Sequence, residues 1–185
     1  MNQGEKHSFK DGNRFYILGG FTNELNETII VPLRKEIDVQ ATLLNPEIEF
    51  YINSNGGRAD ICLHLVSLFE LAKKKGIKVK TIVPYNAYSA GSILAVAGSK
   101  GFRYIAETAE HLIHYGTFDG YYKTTPIQID RTADFYKRWN KTMINHYKKY
   151  SNVPDIEEHI KDDNFWIPAK NCIKWELADK YMDEL

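Results

Sequence analysis

Apolar positions along this chain change period repeatedly, from two to between three and four and back again. Arg14 to Leu18 is a short apolar run closed by Gly19-Gly20. From about Asn26 to Leu44, residues Ile29, Ile30, Leu33, Ile37, Ala41 and Leu44 recur at helical spacing, which predicts a helix that tolerates Pro32 only in its first turn. Glu47 to Asn53 alternates, with Ile48, Phe50 and Ile52 on one face, until Asn53-Ser54-Asn55-Gly56-Gly57 breaks the strand. A second helix carries Ile61, Leu65, Leu68, Phe69 and Ala72 on one stripe, with Lys73, Lys74 and Lys75 in its last turn and Gly76 as the stop. Ile77 to Val83 reads as a strand, Ser89 to Ala97 as a tightly packed helix of small apolar residues, and Phe102 to Ile105 and His111 to Tyr115 as further short strands. From Pro126 to Tyr150 a long helix places Ile129, Ala133, Tyr136, Met143, Ile144 and Tyr147 on one stripe with Trp139 beside it. Strands alternating with helices predict βαβ units, a largely parallel sheet and an α/β fold.

Composition narrows the function classes. The chain has 185 residues, enough for one domain with a sizeable core, and 43% of them are apolar. We expect residues 1–14 to be a short polar segment ahead of a single domain at 15–185. Lys and Arg together number 24, equal to Asp and Glu, so no global field draws the protein to nucleic acid or an anionic membrane. Lys137, Arg138, Lys141, Lys148 and Lys149 are interspersed with aromatics on the long helix, a pattern found in nucleic-acid binders, but with no net charge a solvated cationic face is the better reading. No apolar run approaches the roughly eighteen residues of a membrane span, and the first residues lack the apolar core of a signal peptide, so a cytoplasmic protein is expected. Cys62 and Cys172 show no metal spacing and are expected as buried, reduced thiols.

The junctions between elements hold the candidate chemistry. Gly56-Gly57 leaves backbone N–H groups unshielded by side chains, as an oxyanion site needs, although an ordinary strand-to-helix turn also uses such a pair. Ser89 opens a helix after a strand, either as a nucleophile or as a simple helix cap. A hydroxyl nucleophile requires an imidazole within reach, and the imidazole requires a carboxylate to fix its tautomer. Candidates for the base are His7, His64, His111, His114, His146 and His159. On a strand His111 and His114 point to opposite faces, so only one of them can look into a given site. Asp162 and Asp163 compete for the carboxylate at the end of an acidic run.

Together, Tyr51-Ile52-Asn53-Ser54-Asn55-Gly56-Gly57, Ala87-Tyr88-Ser89-Ala90-Gly91-Ser92, Leu112-Ile113-His114 and Asp163-Asn164-Phe165-Trp166, followed by Ala169 and Leu177-Ala178-Asp179, resemble the proteolytic subunit of the Clp protease. The resemblance runs from about Phe15 to the C-terminus and needs no gap across the intervals of 25 residues from Ser89 to His114 and 49 from His114 to Asp163. It implies a ClpP/crotonase-type fold of repeated ββα units with a protruding handle helix at 126–150. It further implies a serine endopeptidase with Ser89 as nucleophile, His114 as general base, Asp163 as the orienting acid and the Gly57 and Ala90 amides as oxyanion hole. No metal or organic cofactor is needed. Peptides and unfolded proteins are the implied substrates, stacked rings of this chain the implied assembly, and a separate Clp-type ATPase the implied partner for unfolding.

Several positions depart from that family's pattern. Asn55 replaces proline, Tyr88 replaces a small residue and is expected to narrow the substrate pocket, Ala90 replaces methionine, and Tyr115-Gly116 stands where proline follows the histidine. The peptide-lining glycine-rich strand is represented by Thr117-Phe118-Asp119-Gly120 alone, and Asp162 replaces an arginine. Two other readings share the scaffold: a crotonase-like acyl-CoA enzyme, which needs no Ser-His-Asp set, and a non-catalytic ring subunit.

Overall fold

The computed structural model describes residues 8–116, 125–161 and 164–185. Strands β1 (Phe9–Asp11) and β2 (Arg14–Phe21) form an antiparallel hairpin, and β2 then runs parallel to β3 (Glu47–Gly57). Their register sets Phe15 against Phe50 and Ile17 against Ile52, so the apolar alternation of the two strands fills one buried row, with the phenyl rings stacked 4.9 Å apart.

Between them lie a π-turn at Asn26–Ile30 and helix α1 (Val31–Gln40). Pro32 falls in the first turn of α1. The helix stops at Gln40, short of the expected Leu44, and Leu44 is 99% exposed. The cause is local. Gln40 Oε1 accepts the Glu47 N–H at 3.0 Å and Thr42 Oγ1 donates to the Val39 carbonyl, turning the chain back into β3 before the stripe is complete.

Helix α2 (Ala59–Lys74) buries the predicted stripe, and β4 (Lys78–Val83) returns parallel to β3. Next come β5 (Asn86–Tyr88), α3 (Ala90–Val96), β6 (Arg103–Ile105) and β7 (Glu110–Ile113), then α4 (Pro126–Tyr150), α5 (Ile156–His159), β8 (Phe165–Pro168), α6 (Ala169–Lys174) and β9 (Lys180–Tyr181). Strand β3 serves two neighbours along one edge. Its first residues pair with β4, and once β4 has left, Ser54 pairs with Ala87 of β5. From β5 one branch continues through β7 and β8, from β4 the other continues through β6 and β9, and β2 lines the opposite edge of β3. Among the described residues only β1–β2 and β7–β8 are antiparallel, in keeping with the α/β reading.

All seven residues of α3 are buried, and the helix contacts β3, β5, α2 and α4. The stripe expected along α4 divides in two: Met143, Ile144 and Tyr147 are buried, whereas Ile129 is more than half exposed, as are Ile127 and Phe135, which lie outside that stripe. The first half of α4, begun by a Thr125–Gln128 capping box, projects with apolar side chains uncovered in the single chain. At the far edge Arg103, 2% exposed, is held by Asp179, whose carboxylate also accepts the Gly101 and Arg103 N–H groups. Burial alone would raise the Asp179 pKa, but the Arg103 guanidinium and these N–H groups hold it below the usual carboxylate range.

Candidate active site

Where β5 ends and α3 begins, Ser89 adopts φ 53° and ψ −118°, a conformation that costs a non-glycine residue about 1–3 kcal/mol and lifts its side chain out of a sharp strand-to-helix turn. Its side chain makes no capping hydrogen bond, which removes the simple helix-cap reading. The turn is enforced from several directions. Ser89 N–H donates to the Leu112 carbonyl at 2.9 Å, and its own carbonyl accepts the Ile93 N–H at 3.1 Å. Gly56 lies so close that a Cβ there would sit 2.7 Å from Ser89 Cβ, and a Cβ on Gly57, at φ +135°, would sit 2.7 Å from the Phe21 carbonyl oxygen. Both glycines are therefore demanded by close approach as well as by backbone angle. Ser54 Oγ donates to the Gly19 carbonyl at 2.5 Å and accepts the Gly56 N–H at 3.1 Å, which fixes the end of β3 against β2.

Ser89 and His114 line one cavity of about 780 Å³, together with Gly57 and Ala90. His114 follows the last residue of β7, and no hydrogen bond joins its ring to Ser89 Oγ among the described residues. The other described histidines are accounted for elsewhere. His111 is 1% exposed and shares a 2.9 Å hydrogen bond between Nδ1 and Ser92 Oγ; burial, with Arg103 nearby, lowers its pKa to about 3. His146 is bonded through Nε2 to the Ile93 carbonyl, and burial lowers it to about 4. His159 stacks on Phe165, and His64 is exposed on α2. Asp163, the expected orienting acid, and its rival Asp162 lie outside the described residues, as do Thr117 to Gly120.

The cavity wall is apolar, built from Leu63, Ile93 and Met143 and from Phe135, Tyr136 and Trp139 of α4, with Arg58 and Asp60 on its rim. Arg58 binds Asp60 through two hydrogen bonds and reaches Asn23 with Nη1. These two charges escaped the sequence reading, although their place directly after Gly57 was the available signal. Tyr88 is a correction in the other direction. It is not among the described residues that line the cavity: its hydroxyl donates to Glu110 at 2.5 Å and its ring meets Trp166 edge-on at 5.0 Å; burial and Glu110 push its pKa up to about 12. Cys62 and Cys172 are free and buried, Cys62 donating to the Ala90 carbonyl beneath the turn, and burial raises both thiols, Cys172 to about 12. Among the described residues no group of His, Cys, Asp and Glu is arranged to hold a metal, and no helix is long and apolar enough to cross a membrane.

A strained serine on a strand-to-helix turn, with backbone N–H groups and a histidine around one cavity, is an arrangement suited to acyl transfer. A family model described as Clp protease matches residues 22–184. Proteins named ATP-dependent Clp protease proteolytic subunit from Streptococcus mutans and Streptococcus uberis are each 30% identical to the chain over 141 residues, covering 74% of it and 69% of their own length. The scaffold is the ClpP-type α/β fold that such a match implies, and the chain belongs to the Clp protease family, a peptidase by class.

Proposed function

We propose that the chain is a serine endopeptidase in which Ser89, His114 and Asp163 act as nucleophile, general base and orienting acid. The observation that carries this reading is the positive φ of Ser89 at the head of a cavity that His114 also lines. Ser89 Oγ attacks the scissile carbonyl carbon while His114 takes its proton. The tetrahedral oxyanion is met by the Gly57 and Ala90 N–H groups, and His114 then returns the proton to the leaving amine. Asp163 holds His114 in the tautomer this requires. A hydrogen bond that is open in the free enzyme closes when substrate fills the cavity and excludes water. The apolar wall suits a large apolar side chain next to the scissile bond.

The exposed Ile127, Ile129 and Phe135 on the projecting half of α4 support assembly with further copies of the chain, as stacked rings that enclose the site. Such a chamber admits peptides and unfolded chains, and a separate Clp-type ATPase supplies unfolding. The test is labelling of the assembled protein with a fluorophosphonate. Ser89 carries the adduct under this reading, and Ser89→Ala loses both labelling and peptidase activity. Peptide hydrolysis that survives in Ser89→Ala points to an acyl-CoA-type enzyme, and an unlabelled wild-type particle points to a non-catalytic subunit.

A further inference from the structure

Beyond β7 the chain is next anchored on α4. The sheet fixes the chain up to Ile113, which pairs with Phe165, while the Leu112 carbonyl receives the Ser89 N–H. The next anchored residue is Gly116. Its N–H donates to Asn140 Oδ1 at 3.1 Å, and it lies so close to Trp139 that an added Cβ would sit 2.8 Å from the indole Cδ1 and 2.9 Å from Nε1. Trp139 and Asn140 are consecutive on α4, so one short stretch of helix supplies both a hydrogen-bond acceptor and a steric floor. Only His114 and Tyr115 lie between the two anchors, and Tyr115 itself packs against the core. A span of two residues tied at both ends has few ways to move its histidine.

We propose that Asn140 is a positioning residue for the catalytic base: by accepting the Gly116 N–H it sets where the His114 ring stands relative to Ser89. This rests on His114 being the base. Asn140 itself does not line the cavity that holds Ser89 and His114; it borders a separate groove of about 440 Å³ on the other side of the segment, beside Tyr115, Lys141 and Ile144. Its effect therefore passes through the backbone. An acceptor at this place acts first on proton transfer, which depends on sub-ångström placement of the ring.

The experiment compares Asn140→Leu, which removes the acceptor at similar volume, with Asn140→Asp, which keeps one, and with Asn145→Leu as a control on the same helix. Each is made in the full chain, with His114→Ala as reference. Turnover of a fluorogenic peptide, the rate of fluorophosphonate labelling and the number of sites labelled at completion are measured. Asn140→Leu is expected to slow turnover and labelling about a hundredfold, the scale of a misplacement near 1 Å. Its KM is expected within about twofold of the parent, with every site eventually labelled. Asn140→Asp restores turnover to within about threefold, because the Gly116 N–H again has a partner. Asn145→Leu is expected to match the parent. The proposal is overturned if Asn140→Leu turns over at the parent rate, if Asn140→Asp is as slow as Asn140→Leu, or if sites are lost while the rate per site is unchanged. Retention of activity by His114→Ala sinks the assignment of the base itself, a different failure from a silent Asn140→Leu beside an inactive His114→Ala.

Discussion

The two ends of the proposed proton transfer are held in opposite ways. Ser89 stands on a turn between a strand and a helix of which every residue is buried, with glycine backbone pressed against it. His114 stands past the end of its strand, and what fixes it next is a helix whose first half projects from the domain. Under the proposed assignment the nucleophile is held by the core, and the base is hung between the core and α4. Disturbance of the projecting helix therefore reaches the base first, while disturbance of the core reaches the nucleophile together with stability.

The severest break removes either end. Ser89→Ala and His114→Ala should each lower turnover on the order of a millionfold, and the double variant no further, since neither residue works without the other. Peptide kinetics on purified particles check this, and additive losses would show that the two do not share one step. Next in size is a change remote from both regions. Asp179→Asn leaves Arg103 buried without its counter-charge and should cost roughly 3–5 kcal/mol in chemical denaturation, with labelling per folded molecule unchanged. A labelling defect in that variant would show that the far edge of the sheet also tunes the site.

Gly56→Ala sharpens the contrast at the nucleophile. The new methyl meets Ser89 Cβ at 2.7 Å, so labelling should slow about a hundredfold even where the fold survives. A last effect, in stability rather than turnover, concerns His111, which bonds Ser92 of α3 from a position three residues before His114 and so lies where the two regions meet. Folded, its imidazole stays neutral down to about pH 3, whereas unfolded it takes a proton near 6.5. Unfolding therefore takes up a proton in that window. Stability should fall as pH drops from about 6.5 toward 3 and be flat above, with His146 adding to the fall. His111→Val should flatten this slope in denaturant titrations run across pH, and an unchanged slope would assign it to other groups.

The long elements were legible in the sequence because periodicity and stop signals agreed. Helix α2 has a buried stripe, lysines and a glycine stop, and both ends of α4 were read correctly. The turns were not legible. Helix α1 ends early because the Gln40 side chain captures Glu47 N–H, a contact no period encodes. Strands β8 and β9 have four and two residues and exist by pairing with β7 and β6, so too little pattern announces them. At the site, spacing alone left His111 and His114 as rivals and the resemblance singled out Ser89 and His114; the structure adds that β7 ends at Ile113 and that His111 is sealed in behind it. Tyr88 was misjudged because its neighbour in sequence is the nucleophile while its partners in space, Glu110 and Trp166, face elsewhere.

The two glycines of β3 are walled from different sides, Gly56 by Ser89, Tyr88 and Ala90 and Gly57 by the backbone of Phe21. Sequence drift is thereby blocked at both positions and diverted to the residues that follow. Arg58, Ala59 and Asp60 border the same cavity, and both charged side chains are about half or more exposed. A saturation scan through this stretch should read as two intolerant columns followed by three permissive ones. Under the function proposed for that cavity, new cleavage preferences have their shortest mutational path through those three codons.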